Sequence, residues 1–193
     1  LGKNKEFEKD IDLLITQTKR CGEILKKISK KQIKEDEFFK KTKVEDLLEE
    51  IIASFKETSS KKIDLTLKSE KNKLLIYRSP ELIYGIRNFI GNAVKFSKNI
   101  VEIVIINNDD VLKIKINDDG PGFPNDIKEI IGEPYIRSKS AQVSSNSGTG
   151  LGTFLGKTLL ERKSANLKFT RDKKLGGASV IISWNIADLN TNV

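Results

Sequence analysis

The sequence has 193 residues, 37% of them hydrophobic and 32% charged, which is enough for one domain of ordinary size with a buried core. Its net charge of +8 comes from basic residues spread among 27 acidic ones, with no basic stripe interleaved with aromatics, and this argues against a nucleic-acid partner. The absence of His and the single Cys make a disulfide framework or a structural zinc site improbable, so we expect any bound metal to have oxygen ligands.

No apolar run approaches the roughly 20 residues that span a bilayer, and we therefore expect this region not to be membrane-inserted. The sequence contains no Met and begins inside a helical pattern, which suggests a piece of a longer protein.

Residues 1–30 carry a heptad repeat that predicts a long coiled-coil-like helix. Its seam consists of Phe7, Ile11, Leu14, Thr18, Cys21, Leu25 and Ile28. Such a helix requires a partner, and we expect a helical hairpin that dimerises into a bundle. Cys21 is either a small buried apolar residue or, because it lies in the seam, a redox-active thiol able to form an intersubunit disulfide.

A Lys-rich polar segment, residues 31–43, is interpreted as a linker to a second domain, residues 44–193. The patterns after it predict, in order, a helix, two strands, a helix and two more strands. Their bounds are Val44–Phe55, Ile63–Lys68, Lys73–Tyr77, Pro80–Phe96, Val101–Ile106 and Leu112–Asn117. If each strand pair is a hairpin, the fold is α+β, a two-layer α/β sandwich with a mixed, mostly antiparallel sheet and helices on one face.

The helix at Pro80–Phe96 has two distinct faces on a 3.6-residue period. The apolar stripe is formed by Leu82, Ile86, Phe89, Ala93 and Phe96. Asn88, Asn92 and Lys95 form a polar stripe, in which amide oxygens could hold a divalent cation and the ammonium could meet a phosphate. The alternative is a solvated helix surface with no ligand.

The last predicted strand of this group runs directly into Asp118-Asp119-Gly120-Pro121-Gly122. Glycines at Gly120 and Gly122 allow backbone to approach a flat ligand, and Asp118 can accept a hydrogen bond from an exocyclic amine such as that of adenine. Taken alone, the same residues also make an ordinary turn.

The following segment is predicted to contain a short helix, Phe123–Ile131, and a Ser-rich mobile lid at residues 138–147. Gly148-Thr149-Gly150-Leu151-Gly152 then opens another helix, where backbone N–H groups and the helix dipole favour a phosphate, although a glycine-rich hinge is the alternative. The chain ends with predicted strands Asn166–Arg171 and Ala178–Asn185, a core or rim position for Trp184, and a frayed terminus.

Four segments together resemble the conserved boxes of the histidine-kinase ATP-binding domain, of the superfamily that includes gyrase, Hsp90 and MutL ATPases. They are N-F-I-G-N-A-V-K-F-S for the asparagine box, D-D-G-P-G for the first glycine box, E-P-Y-I-R for the F box and G-T-G-L-G for the second glycine box. The resemblance covers Val44 to about Ile186, and it implies Mg-ATP as the cofactor and protein-histidine kinase activity.

The resemblance also implies a role for each matching residue. Asn92 would coordinate Mg²⁺, Asn88 would support the metal or the reacting phosphate, and Lys95 would contact phosphate. Asp118 would read the adenine amine, with Gly120 and Gly122 allowing close approach, and Arg137 would assist phosphoryl transfer. The remaining candidates for nucleotide binding are Tyr135, Gly148, Thr149, Gly150, Leu151 and Gly152.

A narrower resemblance is to the RegB/PrrB group of redox-responsive sensor kinases, carried by Q-T-K-R-C-G-E-I-L, I-G-E-P-Y and K-T-L-L-E-R. In that group a cysteine of this helix is associated with redox sensing, and Cys21 matches it. The resemblance implies a homodimer through residues 1–30, a response regulator as partner, and a cytoplasmic location in a parent anchored in the bacterial inner membrane.

The sequence departs from the family in two places. It contains no His to accept the phosphoryl group, so that residue lies upstream or the parent is a degenerate kinase that only binds nucleotide. Gly132 stands where many members have Phe. An ATP hydrolase of the gyrase or Hsp90 type is a further alternative, but the acidic residue in the Asn88 helix is Glu81, well before the expected position.

Overall fold

The computed structural model describes residues 41–69, 74–108, 110–127, 130–134 and 151–189. The helix predicted at residues 1–30, most of the linker and the Ser-rich lid lie outside these ranges. In chain order the elements are β1 (Lys41–Lys43), α1 (Val44–Lys56), β2 (Lys62–Ser69), β3 (Leu75–Tyr77), α2 (Pro80–Phe96), β4 (Ile100–Asn107), β5 (Val111–Asp118), a 3-10 turn (Asn125–Ile127), α3 (Leu151–Glu161), β6 (Asn166–Arg171), β7 (Ala178–Asn185) and α4 (Ile186–Leu189).

The main sheet has five strands in the order β2-β4-β5-β7-β6. β2 runs parallel to β4, and the other neighbours are antiparallel. Because strand side chains alternate between faces, every second residue enters one core. The buried residues that the sheet contributes include Ile63, Val101, Ile103, Ile105, Leu112, Ile114, Ile116, Val180, Ile182 and Trp184.

Helices α1 and α2 cover that buried face and complete its core. α1 buries an amphipathic stripe that begins at Val44 and ends at Ile52. α2 begins at Pro80, whose missing N–H suits the first helical position, and the Ser79 hydroxyl caps the helix by accepting from Leu82 N at 3.2 Å. The two-layer sandwich with helices on one face and a mostly antiparallel sheet is therefore confirmed.

The apolar stripe predicted for α2 needs one correction at its C-terminal end. Leu82, Ile86, Phe89 and Ala93 are buried, but Phe96 is 48% exposed. Phe96 is the last residue of the helix, and its side chain lies outside the core although its position continues the helical period.

The predicted first hairpin is wrong. β2 pairs with β4 in parallel, whereas β3 pairs antiparallel with β1 in a separate two-stranded sheet. Alternating hydrophobicity indicates which face of a strand is buried but not which strand lies beside it. Lys41–Lys43, assigned from sequence to the end of the linker, forms β1.

The short helix predicted at Phe123–Ile131 is also wrong for the residues described there. Asn125–Ile127 is a single 3-10 turn, in which Ile127 N donates to Pro124 O at 3.3 Å, and Ile130 N donates to Ile127 O at 3.1 Å. Tight i to i+3 turns replace an α-helix because so short a segment after Gly-Pro-Gly cannot offset the cost of nucleation.

The C-terminal end is better ordered than predicted up to Leu189. Ile186 N donates to Asp110 O at 2.9 Å, and the short helix α4 buries Leu189, which is 6% exposed. Trp184 is 2% exposed and belongs to the core. Among the described residues, no helix has the length and apolarity to cross a bilayer.

Candidate functional site

Helices α2 and α3 pack closely because glycines lie at their crossing. A Cβ on Gly85 would be 2.6 Å from Leu160 Cγ, and one on Gly156 would be 3.0 Å from Phe89 Cε2 and 3.2 Å from Asn88 Cβ. Larger residues would push the helices apart. The close packing brings the asparagines of α2 beside the first turn of α3.

The Asn88 and Asn92 side chains lie beside that first turn. Asn88 Nδ2 donates to Tyr84 O at 2.8 Å, and Asn92 Nδ2 donates to Thr153 Oγ1 at 3.2 Å. A Cβ on Gly152 would lie 3.7 Å from the Oδ1 atom of each asparagine. Two amide oxygens and the N-terminal end of a helix therefore meet at one place, beside Gly152.

The Asp118 carboxylate lies at the end of β5 and is 4% exposed. Its Oδ1 accepts hydrogen bonds from Gly120 N at 2.8 Å and from Ala178 N at 3.1 Å. Burial raises the pKa of Asp118, the two backbone hydrogen bonds oppose that rise, and the nearby carboxylates of Asp119 and Asp172 add to it. A buried, fixed carboxylate is suited to recognising a hydrogen-bond donor.

The loop at Asp118 is close to the asparagines because it packs against the end of α2. A Cβ on Gly120 would be 3.0 Å from the carbonyl carbon of Phe96 and would clash with the carbonyl oxygen. Phe96 follows Asn92 by one helical turn, which is about 6 Å along the axis. One helix thus links the two predicted parts of the site.

Asp119 holds the same loop from the other side. Its carboxylate accepts from the backbone amides of Lys98 at 2.8 Å, Asn99 at 3.0 Å and Ile100 at 3.2 Å. Burial opposes the charged form, but the hydrogen bonds from Asn99, Ile100 and Lys98 outweigh it and lower the pKa of Asp119. This role of Asp119 was not predicted from the sequence, although the adjacent pair of aspartates was a signal for it.

The turn between β6 and β7 closes the site behind Asp118. A Cβ on Gly177 would be 2.6 Å from Gly120 N and would collide with the backbone and carboxylate oxygens of Asp118. Asp172 shapes the turn by accepting from Lys174 N at 2.8 Å and Leu175 N at 2.6 Å. The sequence indicated a turn here but not that its second glycine lies against the carboxylate.

Three aromatic rings link the elements of the site. Phe169 on β6 packs against Phe89 with ring centroids 5.9 Å apart and against Phe123 edge-on at 5.7 Å. Phe89 neighbours Asn88, and Phe123 follows Gly122, which has a φ of +82°. The asparagine helix and the glycine loop therefore share one apolar support.

Gly132 fits its surroundings in this chain. Its φ is +93°, and a Cβ there would lie 2.6 Å from Lys157 Cδ on α3. The lysine stem thus packs against the backbone of Gly132, where a larger side chain would have to displace the lysine and adopt a strained positive φ.

The other predicted site residues are placed only in part. Lys95 is exposed, with Nζ 5.2 Å from the Phe96 ring centroid, and Leu151 lies in the first turn of α3. Predicted residues outside the described ranges are Cys21, Tyr135, Arg137, Gly148, Thr149 and Gly150. Within those ranges no group of three or more Asp, Glu, Cys or His side chains could hold a metal.

Comparison with solved structures supports the fold. The mycobacterial sensor histidine kinase MprB matches 76% of this chain and 97% of its own, with a TM-score of 0.64 and 20% identity. Full-length ShkA, solved in complex with AMPPNP, matches with a TM-score of 0.61 and 21% identity over 75% of this chain and 30% of its own.

Sequence comparison identifies related sensor kinases. The sensor histidine kinase RegB of Cereibacter sphaeroides is 33% identical over 178 residues, which cover 88% of this chain and 38% of RegB. CpxA of Escherichia coli is 29% identical over 108 residues, or 55% of this chain and 23% of CpxA. The chain therefore spans well under half the length of these relatives.

The family profile described as histidine kinase-, DNA gyrase B- and HSP90-like ATPase matches residues 78–187. This range contains α2, the Asp118 loop, α3 and the turn before β7, which are the elements that build the site. The chain belongs to the histidine kinase-, DNA gyrase B- and HSP90-like ATPase family.

Proposed function

We propose that this chain is the catalytic, ATP-binding region of a sensor histidine kinase of the RegB type. It would place the γ-phosphoryl group of ATP for attack by a histidine nitrogen. The observation that carries the proposal is the meeting of the Asn88 and Asn92 oxygens with the first turn of α3, on the same helix that supports the Asp118 loop.

Asp118 would select adenine. Its Oδ1 atom already accepts two backbone hydrogen bonds, so Oδ2 is the oxygen left to accept from the exocyclic amine of the base. Guanine has a carbonyl oxygen at the corresponding position. The partial negative charge of this oxygen would be repelled by the carboxylate. Gly120 and Gly122 would let the base lie against backbone.

The phosphates would lie between the asparagines and α3. The Asn92 Nδ2 group donates to Thr153 Oγ1, so Asn92 would hold a cation through Oδ1, and Asn88 would offer a second oxygen. This donor set fits Mg²⁺, which prefers oxygen and commonly takes few protein ligands together with phosphate. When bound, Mg²⁺ would neutralise phosphate charge. The N–H groups of the first turn of α3, Gly152 among them, would bind phosphate oxygens.

Catalysis would consist mainly of positioning and charge stabilisation. Lys95 and Arg137 would bind phosphate oxygens, while Tyr135, Gly148, Thr149 and Gly150 would complete the nucleotide pocket. The sequence contains no His, so the acceptor must come from a segment outside it. The phosphoryl group would then pass to an aspartate of a response regulator.

The likeness to RegB supports a proposal for the arrangement of the parent protein. Residues 1–30 would form the second helix of a dimerisation hairpin, and Cys21 would lie in its seam as a candidate redox switch. The region would work in the cytoplasm, in a parent protein anchored in the bacterial inner membrane.

The test is phosphoryl transfer from ATP to a separate polypeptide that carries the kinase's histidine-bearing helical hairpin. Asn92→Asp should abolish this transfer. The substitution replaces the neutral amide with a charged carboxylate, which changes both the charge and the hydrogen-bonding pattern beside the cation. Asn166→Asp, at the exposed start of β6, is the matched control and should transfer normally.

Unimpaired transfer by Asn92→Asp would remove Asn92 from the metal site. ATP binding without any transfer would instead favour a nucleotide-binding signalling module. Steady ATP turnover without a histidine acceptor would favour a hydrolase of the gyrase or Hsp90 type.

A further inference from the structure

The sheet face opposite the helices contains a buried polar pair. Asn117 on β5 and Ser179 on β7 are directly paired in the sheet, and each is 4% exposed. Ser179 Oγ donates to Asn117 Oδ1 at 2.7 Å. On the same face Lys113 is exposed and Lys115 is half-buried, so the deeper burial of these two polar groups calls for an explanation.

An ion pair lies beside these residues. Lys174 Nζ, from the turn after β6, lies 2.5 Å from Glu102 Oε1 on β4. Glu102 is the sheet partner of Asn117 on the side away from Ser179. The lysine therefore reaches from the turn at β7 to β4, across the face on which Asn117 and Ser179 lie. Reduced water access strengthens the hydrogen bond between them.

The pair lies directly behind the carboxylate of the site. Asn117 precedes Asp118, and Ser179 follows Ala178, whose N–H donates to Asp118 Oδ1 at 3.1 Å. Gly177, one residue earlier, packs against the Asp118 backbone. The distance between the ends of β5 and β7 thus determines where the carboxylate lies, and the Asn117–Ser179 hydrogen bond joins the strands at this end.

We propose that Asn117 and Ser179 are a positioning pair for base recognition, which holds Asp118 in place for the exocyclic amine of the nucleotide. The pair touches neither base nor phosphate and acts through the β5–β7 junction. This inference rests on the proposed function, in which Asp118 reads adenine.

The test compares the binding of ATP with that of purine riboside triphosphate, which lacks the exocyclic amine, by isothermal titration calorimetry. Losing the pair should weaken ATP binding by about fivefold to tenfold, the effect of roughly one misplaced hydrogen bond. Ser179→Ala and Asn117→Ala should each weaken ATP binding in this way and change the affinity for the amine-free analogue by less than about twofold. The double variant should lose no more than either single variant, because the two side chains act as one unit.

Ser183→Ala is the matched control. Ser183 lies on the same strand and the same face, but its Oγ donates to Asn166 O on β6 at 3.2 Å, away from Asp118. It should bind both nucleotides as the unchanged protein does. Circular dichroism and the midpoint of thermal unfolding identify any variant whose loss of binding reflects unfolding. If the folded single variants lose affinity equally for both nucleotides, the positioning role is overturned.

The outcomes separate this inference from the proposed function. If the unchanged protein binds ATP no better than the amine-free analogue, the reading of adenine by Asp118 is wrong. If the unchanged protein binds ATP better than the analogue, and the folded Ser179→Ala and Asn117→Ala variants prefer ATP by the same factor, the positioning role is wrong while the proposed function stands. Additive losses in the double variant would show that the two side chains do not act as a pair.

Discussion

Asp118 Oδ1 accepts a hydrogen bond from Ala178 N at 3.1 Å, which joins the end of β5 to the start of β7. The carboxylate is buried, so this hydrogen bond and the one from Gly120 hold it in a single place and offset part of its desolvation. A rigid acceptor discriminates better between bases than a solvated one, because an unpaired buried group is costly.

Gly177→Ala should destabilise the fold and weaken nucleotide binding together. The added Cβ would be 2.6 Å from Gly120 N and would overlap Asp118. Displacing packed backbone of this kind costs about 1–3 kcal/mol. Urea unfolding measures the stability, and calorimetry measures ATP binding.

Gly176→Ala is the matched control for this substitution. Gly176 has a φ of +79°, but its Cβ would meet nothing within 4 Å. The expected cost is backbone strain of about 1 kcal/mol, with ATP affinity unchanged. Equal loss of ATP affinity in both variants would show that the turn, and not the contact with Asp118, matters for binding.

Asp118 and Asp119 should affect the pH dependence of stability in opposite directions. Burial raises the pKa of Asp118 in the folded protein. As pH rises above about 4, Asp118 therefore loses its proton in the unfolded chain before it does so in the folded one. The free energy of unfolding falls over this range, until Asp118 has also ionised in the folded protein. Asp118→Asn should therefore gain stability relative to the unchanged protein as pH rises through that window.

The pKa of Asp119 is lowered, because backbone hydrogen bonds outweigh the opposing effect of burial. Its stabilising contribution is present above about pH 4 and is lost as pH falls through the lowered pKa. The stability difference between the unchanged protein and Asp119→Asn should shrink on acidification. Urea unfolding at a series of pH values tests both variants, and parallel curves for the two would contradict the opposed shifts.

Much of the fold followed from local patterns. The hydrophobic period of α2 and the alternation along β4 and β5 predicted those elements almost to the residue, because each pattern directly reports a buried face. The partner of β2 was not predictable in this way, since its alternating residues suit a hairpin with β3 as well as the parallel pairing with β4 that forms.

The residues of the candidate site likewise fall into some that the sequence predicted and some that it did not. Asn88, Asn92 and Asp118 could be proposed from the sequence because their side chains would act on a ligand directly. Thr153, Asp119 and Gly177 were missed because they act on other protein groups through contacts between segments distant in sequence. Such contacts depend on tertiary structure and leave no short-range pattern.

Thr153→Val should raise the Mg²⁺ concentration needed for phosphoryl transfer. Valine keeps the shape of threonine but removes the hydroxyl that accepts from Asn92 Nδ2 at 3.2 Å, so the amide loses its fixed orientation. A Mg²⁺ titration at saturating ATP should show a half-maximal concentration about tenfold higher.

Thr158→Val, on the same helix and also partly buried, is the control and should leave the Mg²⁺ titration unchanged. A lower maximal rate for Thr153→Val at an unchanged Mg²⁺ requirement would contradict a role in orienting Asn92.

Oxidation should link two chains through Cys21, if the heptad pattern of residues 1–30 forms the predicted dimer seam. Non-reducing electrophoresis after mild oxidation should show a band of twice the mass, which disappears in Cys21→Ser and on reduction. Only monomer after oxidation would contradict the disulfide.

Two glycine substitutions on α2 should change stability in opposite directions. At Gly85 a Cβ would be 2.6 Å from Leu160 Cγ, at the branch point of a buried side chain, so alanine should separate α2 from α3 at a cost of about 1–3 kcal/mol. At Gly91 the nearest atom would be Phe55 Cε1 at 3.4 Å, an ordinary contact, so alanine should stabilise the helix by about 1 kcal/mol.

The same pair tests the link between helix packing and the site. Because the spacing of α2 and α3 sets the position of Asn88 and Asn92 against Gly152, Gly85→Ala should also weaken binding of Mg-ATP, whereas Gly91→Ala should leave it unchanged. Urea unfolding and calorimetry on both variants provide the measurements. If Gly85→Ala is destabilised yet binds Mg-ATP normally, the asparagines do not depend on that spacing, and their geometry must be set by α2 alone.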